Sequence, residues 1–153
     1  MDFESTVDGL SRNRRMITIA DTGFVVGVAI STDKWHNECL NLYLKQSAVV
    51  LPQTVLAEVA YLITRAGGNL VMSKFLKNFS RTKYRLMALD SADISRSAIL
   101  LEQYADTRID FVDSTVVAMA ERLNIQTILT TDHRDFLIVR PQHINSFDIQ
   151  PNL

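Results

Sequence analysis

The chain has 153 residues, 47% of them hydrophobic, with 16 Lys and Arg against 17 Asp and Glu and a net charge of -1. This length and apolar content predict one globular domain and exclude a fibrous repeat or a largely disordered chain. The near-neutral charge excludes binding of nucleic acid through a bulk excess of positive charge, so a polyanion would have to be bound by a local patch. The single cysteine excludes an internal disulfide and favours a cytoplasmic location.

Residues 1–15 are polar, carry both signs of charge and show no apolar period. They are predicted to form a flexible N-terminal extension, or leader sequence before a second start at Met16, and residues 16–153 a single domain. The apolar stretch 17–30 contains Asp21 and is shorter than the roughly 20 residues that cross a bilayer, so no membrane span is predicted.

The first predicted element is a buried strand at 17–20 that ends at Asp21. The turn and cap signature Asp21-Thr22-Gly23 predicts that this strand runs directly into a helix. A second helix is predicted over 33–46, where apolar residues recur at spacings of three and four, with Thr32 as its N-cap.

The unbroken apolar run 49–51, stopped by Pro52, predicts a second strand buried on both faces, as parallel strands are. Helical spacing then predicts two helices, 54–65 and 70–79. The pair Gly67-Gly68 is expected to end the first of them.

Further strands are predicted at 84–89 and 126–129, and a weak fifth strand at 137–139, before Pro141. Between them, a helix capped by Asp90 or Ser91 is expected to reach about residue 105, and another to run from Asp110 or Val112 to Leu123. The alternation of strands and helices predicts a three-layer α/β/α fold with a central parallel sheet of about five strands.

Two acidic residues lie after predicted strands: Asp21 ends the first, and Asp132 follows the fourth after two threonines. Ligands of open parallel sheets bind beyond the carboxyl ends of strands, so both side chains are candidates to project into one site. The alternative is that each one merely caps the helix or turn that follows it.

Glu58 lies on an apolar stripe of the predicted helix 54–65. A carboxylate in that position is costly unless it is paired or bound to a metal ion. The alternative is a position at the edge of the stripe, from which its oxygens reach water.

Asp110 and Asp113 are three residues apart, a spacing that puts them on one face of a helix. Asp110 can be the N-cap of this helix, with Asp113 as a favourable charge in its first turn. Clustered carboxylates repel one another, which destabilises the folded state, and a bound divalent cation removes this repulsion. Ligation by oxygen alone favours Mg²⁺ or Mn²⁺ over zinc, and either ion could activate water for cleavage of a phosphodiester bond.

A run without acidic residues carries five cations that are candidates for contacts with RNA: Lys74, Lys77, Arg81, Lys83 and Arg85. The alternative is a solvated helix face and loop. A non-catalytic module that binds RNA or protein, with its acids acting as caps, therefore remains an alternative to a nuclease.

Four segments carry a resemblance to a known family: Ile-Ala-Asp-Thr-Gly at 19–23, Leu-Ala-Glu-Val at 56–59, Ile-Asp-Phe-Val-Asp-Ser at 109–114 and Thr-Thr-Asp-His-Arg-Asp-Phe at 130–136. In this order along an α/β chain they resemble the PIN domain, a metal-dependent nuclease fold. They are most similar to the VapC-type toxins of bacterial toxin–antitoxin pairs. The match runs from about residue 16 to 141.

This resemblance implies four catalytic, metal-binding acids, namely Asp21, Glu58, Asp113 and Asp132, of which Asp21, Asp113 and Asp132 are assigned as the metal ligands. It also implies three accessory roles. Asp110 is an accessory acid, Thr22 or Thr131 lies near the ligand shell, and Asp135 is a structural member of the last motif. The family implies an endoribonuclease with RNA as substrate and Mg²⁺ or Mn²⁺ as cofactor. It further implies a homodimer, and a small antitoxin protein that blocks the active site.

Overall fold

A computed structural model describes residues 17–153. It contains one sheet of five parallel strands in the order β3-β2-β1-β4-β5. The strands are β1 (Thr18–Ala20), β2 (Val49–Pro52), β3 (Tyr84–Met87), β4 (Thr127–Leu129) and β5 (Asp148–Gln150). Helices flank this sheet, so the predicted three-layer α/β/α class is confirmed.

Six α-helices connect the strands: α1 (Thr22–Ala29), α2 (His36–Lys45), α3 (Gln53–Asn78), α4 (Ser91–Gln103), α5 (Phe111–Arg122) and α6 (His133–Ile138). A short 3₁₀ turn, Phe79–Arg81, precedes β3. The chain moves outward from β1 to β3 and then returns to place β4 on the other side of β1. Because crossovers between parallel strands are right-handed, this reversal puts α1–α3 on one face of the sheet and α4–α6 on the other.

Helix α3 is interrupted at Gly68, where φ is 80° and ψ is 176°. A Cβ atom at this position would meet nothing within 4 Å, so the glycine is needed for its left-handed backbone and not for space. The predicted break at Gly67-Gly68 between two helical segments is therefore confirmed.

The core lies on both faces of the central strands. Every residue of β1, β2 and β4 is buried, as expected for parallel strands covered by helices on both sides. The largest fully buried side chains around these strands include Phe24 of α1 and Phe136 of α6. Burial of a side chain of this size stabilises the fold by about 2–3 kcal/mol.

Two predictions of local structure are wrong. Residues 137–138 end α6 and Val139 is its C-cap, so 137–139 is not a strand; the fifth strand is β5, further along the chain. Thr32 does not cap α2, because this helix begins at His36 and the backbone N–H of Trp35 donates to Asp33 Oδ1 at 2.8 Å.

The strand order reverses between β1 and β4, and the region beyond the carboxyl ends of these two strands is called the crevice below. Open α/β sheets bind their ligands at this type of switch point. Among the helices of residues 17–153, none is both long and apolar enough to span a membrane. The predicted N-terminal extension lies outside the described residues.

Candidate active site

The crevice is built around a buried threonine that connects two of the predicted acids. The register of β1 and β4 pairs Ala20 with Leu129, so the next residues, Asp21 and Thr130, lie side by side. The Thr130 hydroxyl donates to Asp21 Oδ2 at 2.9 Å and accepts from the backbone N–H of Asp132 at 3.0 Å. Thr130 is fully buried, so these two bonds fix the relative positions of the strand ends that carry Asp21 and Asp132.

Asp21 and Asp132 occupy the N-cap positions of α1 and α6, yet neither side chain makes a capping hydrogen bond. A carboxylate that served as a cap would accept from the backbone N–H of the second or third helical residue. The capping alternative therefore does not account for these two acids.

Asp110 and Asp113, in contrast, form a capping box at the start of α5. The Asp110 carboxylate accepts from Asp113 N and the Asp113 carboxylate from Asp110 N, both at 3.0 Å. This box holds the Asp113 side chain in a fixed orientation at the first turn of α5. For Asp110, the capping alternative is an accurate description of its local role.

A second capping box with the same Asp-x-x-Asp pattern begins α4, from Asp90 to Asp93. Here the second carboxylate is 1% exposed and is neutralised by Arg122, whose guanidinium donates to both oxygens at 2.9 and 2.8 Å. Within residues 17–153, Asp113 forms no such ion pair. The two boxes share a local geometry and differ in the charge around the second acid.

The surroundings of Asp113 oppose its ionisation. The pKa of Asp113 is raised to about 8, mainly because the carboxyl group is buried; the hydrogen bond from Asp110 N lowers this pKa, and the charges of Asp21 and Asp110 contribute to the rise. A half-buried carboxylate beside other carboxylates has this behaviour when no cation compensates it.

Asp21 is buried, and its pKa is raised to about 6, mainly as a result of this burial. The hydrogen bonds from Thr22 N and Thr130 lower this pKa, while the charges of Glu58 and Asp132 raise it. Glu58 is half-buried in the first part of α3, so its charge acts on the crevice from the β2 side. The structure thus brings four predicted acids, Asp21, Glu58, Asp113 and Asp132, into one electrostatic cluster.

Asp135 is buried in the first turn of α6. Burial raises its pKa, the neighbouring Asp132 raises it further, and the charges of Arg108 and Arg134 lower it. Both arginines are exposed. Sequence reasoning did not select them as part of the site.

The two candidate threonines lie at the entrance to α1. The hydroxyl of Thr22 is buried and has no hydrogen-bond partner among the described residues. A Cβ atom on Gly23 would collide with Oγ1 of Thr131, so the glycine lets the Thr131 side chain lie against the first turn of α1. Thr130 was not among the predicted residues, although pairing of the first and fourth strands places it next to Asp21.

The five predicted RNA-binding cations lie apart from this cluster. Lys74 and Lys77 lie near the end of α3, and Arg85 lies in β3. Because Tyr84 is the first residue of β3, Lys83 lies at the amino edge of the parallel sheet. The Lys83 ammonium donates to the backbone oxygens of Leu44 and Gln46, and the Arg85 guanidinium to those of Thr82 and Tyr84. The remaining three, Lys74, Lys77 and Arg81, are exposed.

The donor set of the crevice fits a hard divalent cation. Neighbouring carboxylates help to raise the pKa values of Asp21 and Asp113, and a bound cation would remove this repulsion. The unpartnered Thr22 hydroxyl adds another oxygen next to Asp21. Within residues 17–153, no three His, Cys, Asp or Glu side chains are already arranged as a metal site, so the fit rests on the chemistry of the donors.

The PIN domain family matches residues 18–140. The chain belongs to the PIN-domain family. Ribonuclease VapC26 of Mycobacterium tuberculosis is 31% identical over 137 residues, which cover 87% of this chain and 99% of that protein.

Solved structures of PIN-domain toxins share the fold. The structure of VapC20 of Mycobacterium tuberculosis, described as a sarcin-ricin loop cleaving toxin, has a TM-score of 0.70 at 20% identity, covering 76% of this chain and 91% of that one. VapBC2 of Rickettsia felis, bound to a DNA fragment from its promoter, has a TM-score of 0.63 at 18% identity, covering 88% of this chain and 98% of that one. At these identities the likeness concerns the fold of the PIN domain.

Proposed function

We propose that this PIN domain is a metal-dependent endoribonuclease toxin that hydrolyses RNA phosphodiester bonds by metal-activated water. The observation that carries the proposal is the pair Asp21 and Asp113, two desolvated carboxylates with raised pKa values and no ion-pair partner within the described residues. Membership of the family and the 31% identity to a ribonuclease support it.

Asp21, Asp113 and Asp132 are the proposed ligands of Mg²⁺ or Mn²⁺, and Glu58 completes the negative charge of the crevice. When bound, a divalent ion lowers the pKa of water and neutralises charge that develops on the phosphate. The Thr130 hydroxyl would hold the Asp21 carboxylate next to the turn that carries Asp132. The hydrogen bond from Asp110 N would fix the orientation of the Asp113 carboxylate.

A small antitoxin and a second copy of the chain are the proposed protein partners. The antitoxin is supported by similarity of fold to a solved toxin–antitoxin complex from Klebsiella pneumoniae. A blocked crevice would keep RNA from the carboxylates. A small protein that copurifies with this chain from its own cells should form a stable complex that does not cleave RNA, while the free chain cleaves it.

The nuclease proposal is tested by RNA cleavage with purified protein in Mg²⁺, in EDTA, and in EDTA followed by excess Mg²⁺. Cleavage should be lost on chelation and restored by Mg²⁺. Asp21→Asn and Asp113→Asn should each lower the rate at least about 100-fold, as expected for removal of a metal ligand.

Asp148→Asn is the matched control, because it makes the same chemical change at the start of β5, on the amino edge of the sheet. This variant should keep the rate of the unmodified protein. Cleavage that survives both EDTA and the two crevice substitutions would show the mechanism to be wrong. RNA binding without any cleavage would favour the non-catalytic module.

A further inference from the structure

The proposed active site has an electrostatic problem that concerns its substrate. Four carboxylates surround the crevice, and an RNA strand adds one negative charge per phosphate. The cations predicted to attract RNA lie at the amino edge of the sheet, and the acids lie at its carboxyl edge. Other cations are therefore needed beside the crevice.

Two exposed arginines flank the acidic cluster from different elements. Arg108 lies in the loop before α5, two residues ahead of Asp110, and Arg134 lies in the first turn of α6, two residues after Asp132. Both arginines thus lie where α5 and α6 begin, at the same ends of these helices as Asp113 and Asp132, and the charges of both also act on Asp135.

These arginines also differ from others in how they are used. Arg96 and Arg122 are held by Glu121 and Asp93 through paired hydrogen bonds. Within residues 17–153, neither Arg108 nor Arg134 makes an ion pair or a side-chain hydrogen bond. Their donors are therefore available to a ligand, and a guanidinium is suited to paired hydrogen bonds with a phosphate group.

We propose that Arg108 and Arg134 form a phosphate clamp that binds the backbone of single-stranded RNA beside the acidic crevice. This inference rests on the proposed nuclease function and names the residues that bring its substrate to the site. The segment 74–85 would then not be the surface that binds RNA.

The test measures binding of a fluorescein-labelled single-stranded RNA of mixed sequence by anisotropy, over a series of salt concentrations. All proteins carry Asp113→Asn so that cleavage does not interfere. Each contact with a phosphate of single-stranded nucleic acid contributes about 0.7 to the slope of log affinity against log salt. The pair Arg108→Gln/Arg134→Gln should lower this slope by about 1.4 and weaken binding about 25-fold at about 0.1 M salt.

Two further pairs of substitutions make the result specific. Lys74→Gln/Lys77→Gln removes the same number of charges from the rival surface and should leave affinity and slope near those of the parent. Arg108→Lys/Arg134→Lys keeps both charges near Asp135 and should retain most of the slope while losing part of the affinity, because an ammonium group cannot make the paired contact. Equal melting temperatures would show that each protein is folded.

The proposal is overturned if the arginine pair binds RNA as the parent does, or if the lysine pair loses as much affinity. It is also overturned if RNA affinity is unchanged and binding of a co-expressed protein partner is weakened, since the arginines would then serve that partner. Cleavage by the unmodified protein that Asp113→Asn abolishes would leave the nuclease function standing in each of these cases. Absence of any cleavage or RNA binding by the unmodified protein would refute both.

Discussion

The two Asp-x-x-Asp capping boxes allow one chemical change to be made in the same local geometry with opposite expected effects. Asp93 and Asp113 are both the third helical residue, and each accepts a hydrogen bond at 3.0 Å from the N-cap N–H. Asparagine can keep this bond through its side-chain oxygen. We expect Asp93→Asn to destabilise the metal-free protein and Asp113→Asn to stabilise it.

The magnitudes follow from the charges around each acid. Asp93→Asn removes the buried carboxylate that Arg122 contacts at 2.8 Å, while the ion pair of Arg122 with Asp90 at 3.2 Å remains. Loss of one member of a fully buried pair costs about 3–5 kcal/mol, and we expect a loss below this range because the second pair persists. The pKa of Asp113 is raised from 3.8 to about 8. A shift of that size corresponds to a penalty of about 4 kcal/mol at about pH 7, which solvent screening of this half-buried, interacting group reduces to about 1–2 kcal/mol.

The sign of the pH dependence follows from linkage. Because the folded protein holds a proton on Asp113 more tightly than the unfolded chain, its stability falls as the pH rises from about 4 to about 8. The gain in free energy of unfolding from Asp113→Asn should therefore be small near about pH 4 and largest near about pH 8. Above it, the gain should be constant.

Urea denaturation in EDTA, followed by circular dichroism across this pH range, measures both variants. Repeating the series in excess Mg²⁺ should reverse the sign for Asp113→Asn, because the unmodified protein then gains the free energy of ion binding. If both variants lower stability in EDTA, or if the gain from Asp113→Asn does not grow with pH, the electrostatic account of the crevice is refuted.

Three further predictions concern the same crevice. Thr130→Val removes the hydroxyl that bonds to both Asp21 and the turn after β4. This change should lower the free energy of unfolding by about 2–3 kcal/mol and the cleavage rate at least about tenfold. An unchanged rate would contradict the positioning role of Thr130. Gly23→Ala brings a methyl group against Thr131. Urea denaturation should therefore show a free energy of unfolding lower by about 1–3 kcal/mol, and RNA cleavage assays should show a loss of activity. Mg²⁺ at about 100 times its dissociation constant should stabilise the unmodified protein by about 2.7 kcal/mol in thermal melts, and Asp113→Asn much less.

Much of the fold follows from local features of the sequence. The buried runs that form β1, β2 and β4 are short and mostly apolar, and each is ended by a polar residue or a proline, so their alternation with helices identified the parallel sheet. The ends of helices were predictable where a specific residue is required: Asp90 and Asp110 form capping boxes, and Gly68 takes a left-handed backbone.

The edge of the sheet was not predictable in the same way. Strand β5 has the sequence Asp-Ile-Gln with only Ile149 buried, so it shows almost no apolar pattern and exists because it pairs with β4. Residues 137–139 are more apolar than β5, but α6 buries Asp135 and Phe136 and leaves Leu137 and Ile138 exposed. Tertiary pairing decided between these two segments.

The site shows the same division between local and long-range information. Asp21 and Asp132 were predictable because each follows a strand, whereas Thr130 becomes significant only through the register of β1 with β4. The two arginines near Asp135 are 26 positions apart in the sequence, from 108 to 134, and only the fold brings them to the same crevice.

The near-neutral total charge of the chain is consistent with a strongly charged site because its acids are in two different environments. Asp93 and Glu121 are each neutralised by an arginine through paired hydrogen bonds, so they add little to the field outside the protein. Asp21 and Asp113 have no such cation within the described residues, and both keep raised pKa values that lower the stability of the metal-free fold. The local deficit of positive charge, which composition cannot reveal, is therefore the property that favours a divalent cation at this crevice.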